Sequence, residues 1–473
     1  RGVGTSTNGV ASYAGSINFE SINLRNNPAG GSVEVGLGSF NSRRFNASAS
    51  TGMVNDKWAA YTSFSRLYSD GFRDNTFTDA YSFFLSVGYF GEKDFIKINA
   101  FDANSKNGLG YGPVLEADLL NDPTTNYLNE NDEDDFGQQL IQLQHTHLFS
   151  DELSITSSIY YGSAGGDFLY TYPDGDGGFD QINYPLYNDH YGVMSNAFFT
   201  PNEALEFSAG VHAYTFKRVN EESTGPDFAN PYYRDETVKD EISAFAKAKV
   251  SFGDLSLFGD IQVRSTNMTL APDYGFIGVA QQGDIAKHWT FINPKIGVNY
   301  HWDLKWEAYA SFGRTGREPT RVDILGGFQL NASNLDLARS DAFEPEFVND
   351  LETGFRYTGQ MLALNINYFY MDFENEIAPY GEVIAFGVQK RTNIKDSYRT
   401  GVELDGTYHL TEQLKLTSSI TYMTSQIKQL EDETSGETLT DVSAILTPEW
   451  TYSASLAYKP VDGLGFTFSG RGI

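Results

Sequence analysis

The chain contains no cysteine. That excludes a disulfide framework, a thiolate metal site and a cysteine nucleophile. Positive charge is scarce: 33 Lys+Arg stand against 62 Asp+Glu, a formal net charge of −29. A surface of that sign repels phosphate, which excludes nucleic acid as a partner. No apolar run approaches the length of a transmembrane helix, and Arg1 opens no charged and apolar leader, so neither a spanning helix nor a signal peptide is read. A membrane protein of this sequence has to be a barrel. Proline (15) and tryptophan (5) are few, whereas glycine (46), tyrosine (29) and phenylalanine (35) are abundant, a mix that suits many strands joined by turns. The 473 residues show no composition break between domains, which points to one large β architecture.

Alternation with a period of two is the dominant pattern. In 362–370, Leu362, Leu364, Ile366, Tyr368 and Tyr370 share one face, and Ala363, Asn365, Asn367 and Phe369 the other. In 414–422, Leu414, Leu416, Ile420 and Tyr422 oppose Lys415, Thr417, Ser419 and Thr421. The stretches 244–250 and 254–263 read the same way. The connections discriminate between a soluble sandwich and a barrel, because they alternate in length. Short turns fall at 55–57, 91–93, 150–152, 201–203, 252–254, 302–303, 358–360, 411–413 and 461–463. Between them lie long polar segments, roughly 104–136, 164–187, 217–240, 265–289, 317–344, 374–395 and 426–446, read as loops. Short turns on one rim and long loops on the other define a transmembrane antiparallel β-barrel of the outer-membrane type. About 19 strands are counted. Single-chain bacterial barrels have even numbers, so the expectation is a fragment of a barrel of about 22 strands.

Several segments resemble the TonB-dependent outer-membrane receptors, particularly the branch common in Bacteroidetes: RLYSDGFRDN (66–75), WTFINPKIGVNY (289–300), GREPTRVDIL (316–325), EPEFVNDLETGFRY (344–357) and TNIKDSYRTGVELDGTY (392–408). RGVGTSTNGVASYAGSINFES (1–21) looks like the last part of a plug domain. The resemblance implies two parts: residues 1–30 as the end of the plug and 31–473 as the barrel, without most of the plug or the closing strands. It implies active import of a scarce nutrient across the bacterial outer membrane, with a ferric siderophore as the first substrate class. Heme, cobalamin, oligosaccharides or other metal complexes are variants of the same mechanism. The implied partners are the TonB–ExbB–ExbD complex, reached through the missing plug N-terminus, outer-membrane lipid and lipopolysaccharide. A passive porin or adhesin is the alternative from another class, and the plug-like residues argue against an open pore.

The candidate ligand-binding residues lie on the outer loops and rim. Segment 168–192 gathers Tyr170, Tyr172, Tyr184 and Tyr187 around Asp174 and Asp176, a composition suited to an amphipathic, aromatic chelate or, more simply, to an interfacial aromatic girdle. Arg317, Glu318 and Arg321 end a strand that should run into lipid-free territory. An interior charge network is the first reading, and contact with ligand the second. Glu130, Asp132, Glu133, Asp134 and Asp135 form an acidic run, read as solvated, with a loop-bound divalent cation as the minority reading. His145 and His147 share one strand face, read as lumen-facing structural histidines because no third ligand is apparent. No resident cofactor is expected. No nucleophile–base pair, P-loop or zincin motif is present, so the chain is read as a non-enzyme.

Overall fold

The computed structural model describes residues 6, 13, 20–173, 179–226, 228–274, 283–327, 335–340, 342–383, 389–432 and 437–473. Its 21 strands form a single sheet. The first are β1 (Gly30–Leu37), β2 (Arg43–Ser50), β3 (Trp58–Ser69), β4 (Thr78–Phe90), β5 (Asp94–Gly108), β6 (Glu133–Leu148) and β7 (Leu153–Pro173). Then come β8 (Phe179–Asn183), β9 (Leu186–Asn202), β10 (Leu205–Thr224), β11 (Tyr233–Phe252), β12 (Leu255–Tyr274), β13 (Ile285–His301) and β14 (Trp306–Arg317). The last are β15 (Glu346–Thr358), β16 (Leu362–Val383), β17 (Gln389–His409), β18 (Leu414–Asp432), β19 (Glu437–Val442), β20 (Trp450–Val461) and β21 (Leu464–Gly472). Three short helices sit in the loops: α1 (Glu116–Asn121), α2 (Arg321–Leu325) and α3 (Leu335–Arg339). None is long and apolar enough to cross a membrane.

Neighbouring strands pair antiparallel along the chain. The short β8 and β19 do not add crossings. Asn183 of β8 pairs with Leu169 of β7 and Ser223 of β10, the same two strands that flank β9, so β8 continues β9 across Tyr184 and Pro185. Likewise β19 and β20 both lie along β18. Counted as crossings, the sheet therefore agrees with the 19 strands that the alternation gives.

The sheet is inside-out relative to a soluble protein, and this identifies its solvent. On β11 and β13, Ile242, Ile292 and Ile296 are about 60% exposed, while their neighbours Glu241, Ser243, Asn293 and Lys295 are buried. Asn367 and Phe369 are buried on β16 while Ile366 and Tyr368 point out. Alternating apolar-out and polar-in is what lipid on one side and a lumen on the other require. Aromatics mark the short-turn rim: Trp58 packs on Tyr89 at 4.9 Å and Trp306 on Tyr357 at 4.6 Å. A second set, Tyr161–Tyr191, Tyr370–Tyr398 and Tyr422–Trp450, sits further along the strands toward the long-loop rim. These two bands bracket the lipid-facing zone.

One expectation needs correction. Of the segments read as loops, 164–187, 217–240, 265–289, 374–395 and 426–446 are largely strand. β10, β11 and β12 each run 20 residues, about twice what a tilted strand needs to cross a bilayer. Beyond the membrane both faces of a strand meet water or polar side chains, so no apolar stripe marks it. Among the described residues, the long stretches outside strands fall in 104–136, which carries α1, and in 317–344, which carries α2 and α3.

Candidate functional site

The end of β14 answers the puzzle of its charges. Arg314 lies on the outward side and pairs with Glu374 at 2.7 Å. Arg317 turns inward to Glu346, and the ladder with β15 ends there. Glu318 and Pro319 follow, and a capping box between Thr320 and Asp323 starts α2. Gly326 ends it in the left-handed region, at φ 61°, where a side chain would be strained. Ile324 and Leu325 of α2 and Ala338 of α3 bury against Met268, Leu270 and Ile285 on the inner wall of β12 and β13. Lys287 reaches the carbonyl of Ser340 at 2.5 Å, which ties the end of α3 to β13. The loop is thus folded back into the lumen.

Under it lies a buried charge network. Glu318 pairs with Lys239 and, at 3.2 Å, with Arg264; Arg264 also reaches Glu241 at 2.6 Å. The side chain of Arg264 is 2% exposed and that of Glu241 0%. Glu241 further accepts from Thr266 and Tyr214, both at 3.2 Å. Arg321 pairs with Asp235, which also accepts from Tyr233 and, at 3.0 Å, from Asn220. Gly316 donates its N–H to Asn293 at 3.1 Å, and Asn293 donates to Gln262 at 3.0 Å. Arg317, Glu318 and Arg321 are therefore held within an interior network, as the first reading of these residues proposed. Lys239, Glu241, Arg264 and Asp235 were missed. Their signal was available in part: Tyr233, Asp235, Thr237 and Lys239 recur at every second position in a segment read as loop, and Glu241 continues the series just beyond it.

The tyrosine candidates divide. Tyr170 and Tyr172 share the inward side of β7 with Phe168; Tyr172 donates to Asp180 at 3.5 Å. Tyr184 packs on Phe168 at 6.3 Å, and Tyr111 from the β5–β6 loop stacks on the same ring at 6.4 Å. Burial and the nearby Glu222 push the Tyr184 phenol well above its ordinary value. Burial, followed by the neighbouring Tyr170, pushes Tyr111 up to about 12. Both stay neutral near pH 7 and offer hydroxyl donors. Glu222 pairs in register with Tyr233, whose hydroxyl meets Asp235 and so Arg321. The two candidate regions thus form one aromatic and charged arc around the inner long-loop rim. Tyr187 is not part of it: it is 46% exposed, on the outward side with Tyr191 and Val193. Asp174 and Asp176 lie outside the described residues.

Two residues of the N-terminal segment are placed against the inner wall. Ser6 is buried, donates its N–H to Asp260 at 3.3 Å and lies 3.5 Å from the Lys295 ammonium. Tyr13 packs on Phe373 at 6.4 Å with the Arg317 guanidinium 5.2 Å from its ring centre. Further on, Ser21 accepts from Lys97 at 2.5 Å and Arg25 lies over Phe90 and Phe95, beside a short turn.

The acidic run divides: Glu130 is exposed, as its reading as solvated expects, whereas Asp132 to Asp135 are held in place. Asp132 is buried and accepts from the Asn129 N–H at 2.9 Å; Glu133 pairs with Lys106, Asp134 with Asn107 and Asp135 with Asn104. These residues open β6 and bond across to β5. His145 and His147 also differ from expectation. They share the parity of the exposed Ile141 and Leu143, so they face outward, and a third potential ligand, Asp94, lies beside them.

A lipid-faced antiparallel sheet of long strands with an inward-folded loop defines the class: a barrel of the outer-membrane type. The model of the family "TonB dependent receptor-like, beta-barrel" matches residues 86–472, and the chain belongs to that family. Among solved structures it is similar to the ferric-catecholate import receptor Fiu from K12 E. coli in its closed form, with a TM-score of 0.75 at 17% identity, covering 95% of this chain and 71% of that one. It is similar to the copper transporter OprC, with a TM-score of 0.72 at 16% identity, over 93% and 66%. The siderophore receptor PiuA from Acinetobacter baumannii gives 0.71 at 12% identity, over 94% and 71%. At such identities the likeness is one of fold. No curated protein matches the sequence.

Proposed function

We propose that the chain is the barrel portion of an energised importer that takes up a ferric siderophore or a chelate of similar chemistry. The observation that carries this reading is the inner-rim arc of Tyr111, Phe168, Tyr170 and Tyr184 running to Tyr233, Asp235 and Arg321. Flat ring faces and neutral hydroxyl donors suit an aromatic, oxygen-rich chelate, and the fixed charges beside them suit its polar edge. Solved structures of this fold include a ferric-catecholate import receptor and a siderophore receptor, which agrees with the same substrate class.

Residues 1–30 serve in this reading as the end of a plug. Ser6 and Tyr13 on the inner wall support it, and an open porin has no use for a segment there. Energy would come from the inner membrane through TonB–ExbB–ExbD acting on the plug's N-terminus.

Uptake of a panel of ferric chelates, with copper, heme and cobalamin alongside, in cells with and without the full-length gene and with and without a proton uncoupler, tests the reading. Accumulation of one chelate that requires both gene and proton gradient is expected. Uptake indifferent to the uncoupler, or uptake of copper alone, overturns the siderophore assignment.

A further inference from the structure

We propose that Asp94, His145 and His147 form a binding site for a divalent transition-metal ion of the zinc class, on the outer wall of the barrel at the short-turn rim. The three side chains come from two adjacent strands. Asp94 opens β5 and pairs in register with His147 near the end of β6; His145 lies two residues earlier on the same face. The Asp94 Oδ1 lies 2.7 Å from His147 Nδ1 and 2.9 Å from His145 Nε2. All three potential ligand atoms fall within 4.8 Å of one another. Of the seven histidines in the chain, these two are placed together with a carboxylate between them.

The geometry is close to what an ion needs. Zinc bonds of about 2.0–2.1 Å to nitrogen and oxygen set neighbouring donors about 3.3 Å apart in a tetrahedron. Each Asp94–His contact would open by roughly half an ångström. That adjustment is available, because all three side chains are between about a third and a half exposed. Two imidazole nitrogens and one carboxylate oxygen select zinc, copper or nickel over calcium and magnesium, which prefer oxygen alone. The fourth position is left for water.

The neighbours permit a cation. On the outward side of β7 the register partners of His147 and His145 are Ile155 and Ser157, which bring no positive charge. The Phe149 ring meets His147 edge-on at 4.5 Å and restricts its rotation. A bound ion would clip β5 to β6 where the barrel meets the inner-leaflet headgroups, facing the periplasm. This inference is independent of which ligand the lumen carries.

The test is zinc binding by the purified full-length protein in detergent, measured by competition with a fluorescent zinc chelator. Copper(II) electron paramagnetic resonance would report the nitrogen ligands. Wild type should bind one competing ion that His147→Ala and Asp94→Asn weaken by at least about tenfold. The copper spectrum should lose nitrogen coupling in H147A. His409→Ala, far from the cluster, should change neither. Folding of each variant is checked by the altered gel migration of the unheated barrel. Equal zinc affinity in wild type and both folded variants, or a copper spectrum unchanged by H147A, overturns the site.

Discussion

Arg264 and Glu318 meet at 3.2 Å although 54 residues separate them, one from the wall of β12 and the other from the loop that leaves β14. The contact joins a strand to the inward-folded loop, and it is buried on both sides. A buried charge that loses its partner keeps its desolvation cost, so such a pair fixes geometry more than it adds stability.

Glu318→Ala should therefore destabilise the barrel by about 3–5 kcal/mol, because Lys239 and Arg264 lose a shared carboxylate. Glu318→Asp should recover part of the loss. Thermal unfolding in detergent, followed by gel migration, checks both; equal midpoints for wild type and E318A would show that water already screens the network.

Gly316 sits where a Cβ would come within 2.5 Å of the Phe291 ring and 2.6 Å of the Phe347 ring. Gly316→Ala should cost about 1–3 kcal/mol by forcing those rings aside. It should also loosen α2, measurable as faster amide exchange over 318–326.

The lipid-facing assignment is tested by charge. Ile296→Arg should weaken folding into vesicles by about 2–4 kcal/mol. The inward Ser243→Thr should be nearly neutral. A tolerant Ile296 would place that face in water.

The inner-rim arc makes a contrast with one outward residue. The pair Tyr170→Ala and Tyr184→Ala should raise the chelate concentration for half-maximal uptake by about tenfold, since each buried aromatic contact contributes about 0.5–1.5 kcal/mol. Tyr187→Ala, on the outward side, should leave it unchanged. Equal effects would remove the arc from the binding path.

Because the chain has no cysteine, single cysteines report topology without background. Asp118→Cys on α1 should react with an impermeant maleimide on intact cells, and Glu412→Cys in a short turn only after the outer membrane is opened.

Much of the architecture was legible in the sequence because lipid acts on every second residue of a strand. Leu362, Ile366 and Tyr368 face outward into lipid, and their spacing announced the crossing. Above the lipid that pressure stops, which is why Tyr233 to Lys239 read as loop although Tyr233, Asp235 and Lys239 all find partners inside. Arg317, Glu318 and Arg321 stood out as charges at a strand's end. Their partners did not, since an ion pair across 54 or 86 residues leaves no local pattern. His145 and His147 were visible by spacing, whereas Asp94 becomes their neighbour only through strand register.

The overrun of the strands has a consequence for how the molecule meets its surroundings. About ten residues beyond the bilayer, at about 3.3 Å each, raise a stiff turret on the order of 25 Å above the lipid. A cargo molecule arriving from outside touches this collar before it reaches the membrane plane. Hydrogen-bonded ribbons cannot bend across the mouth without breaking their ladders, so the collar keeps its shape. Recognition from outside, by cargo or by antibodies, therefore falls on the crown rather than on the wall.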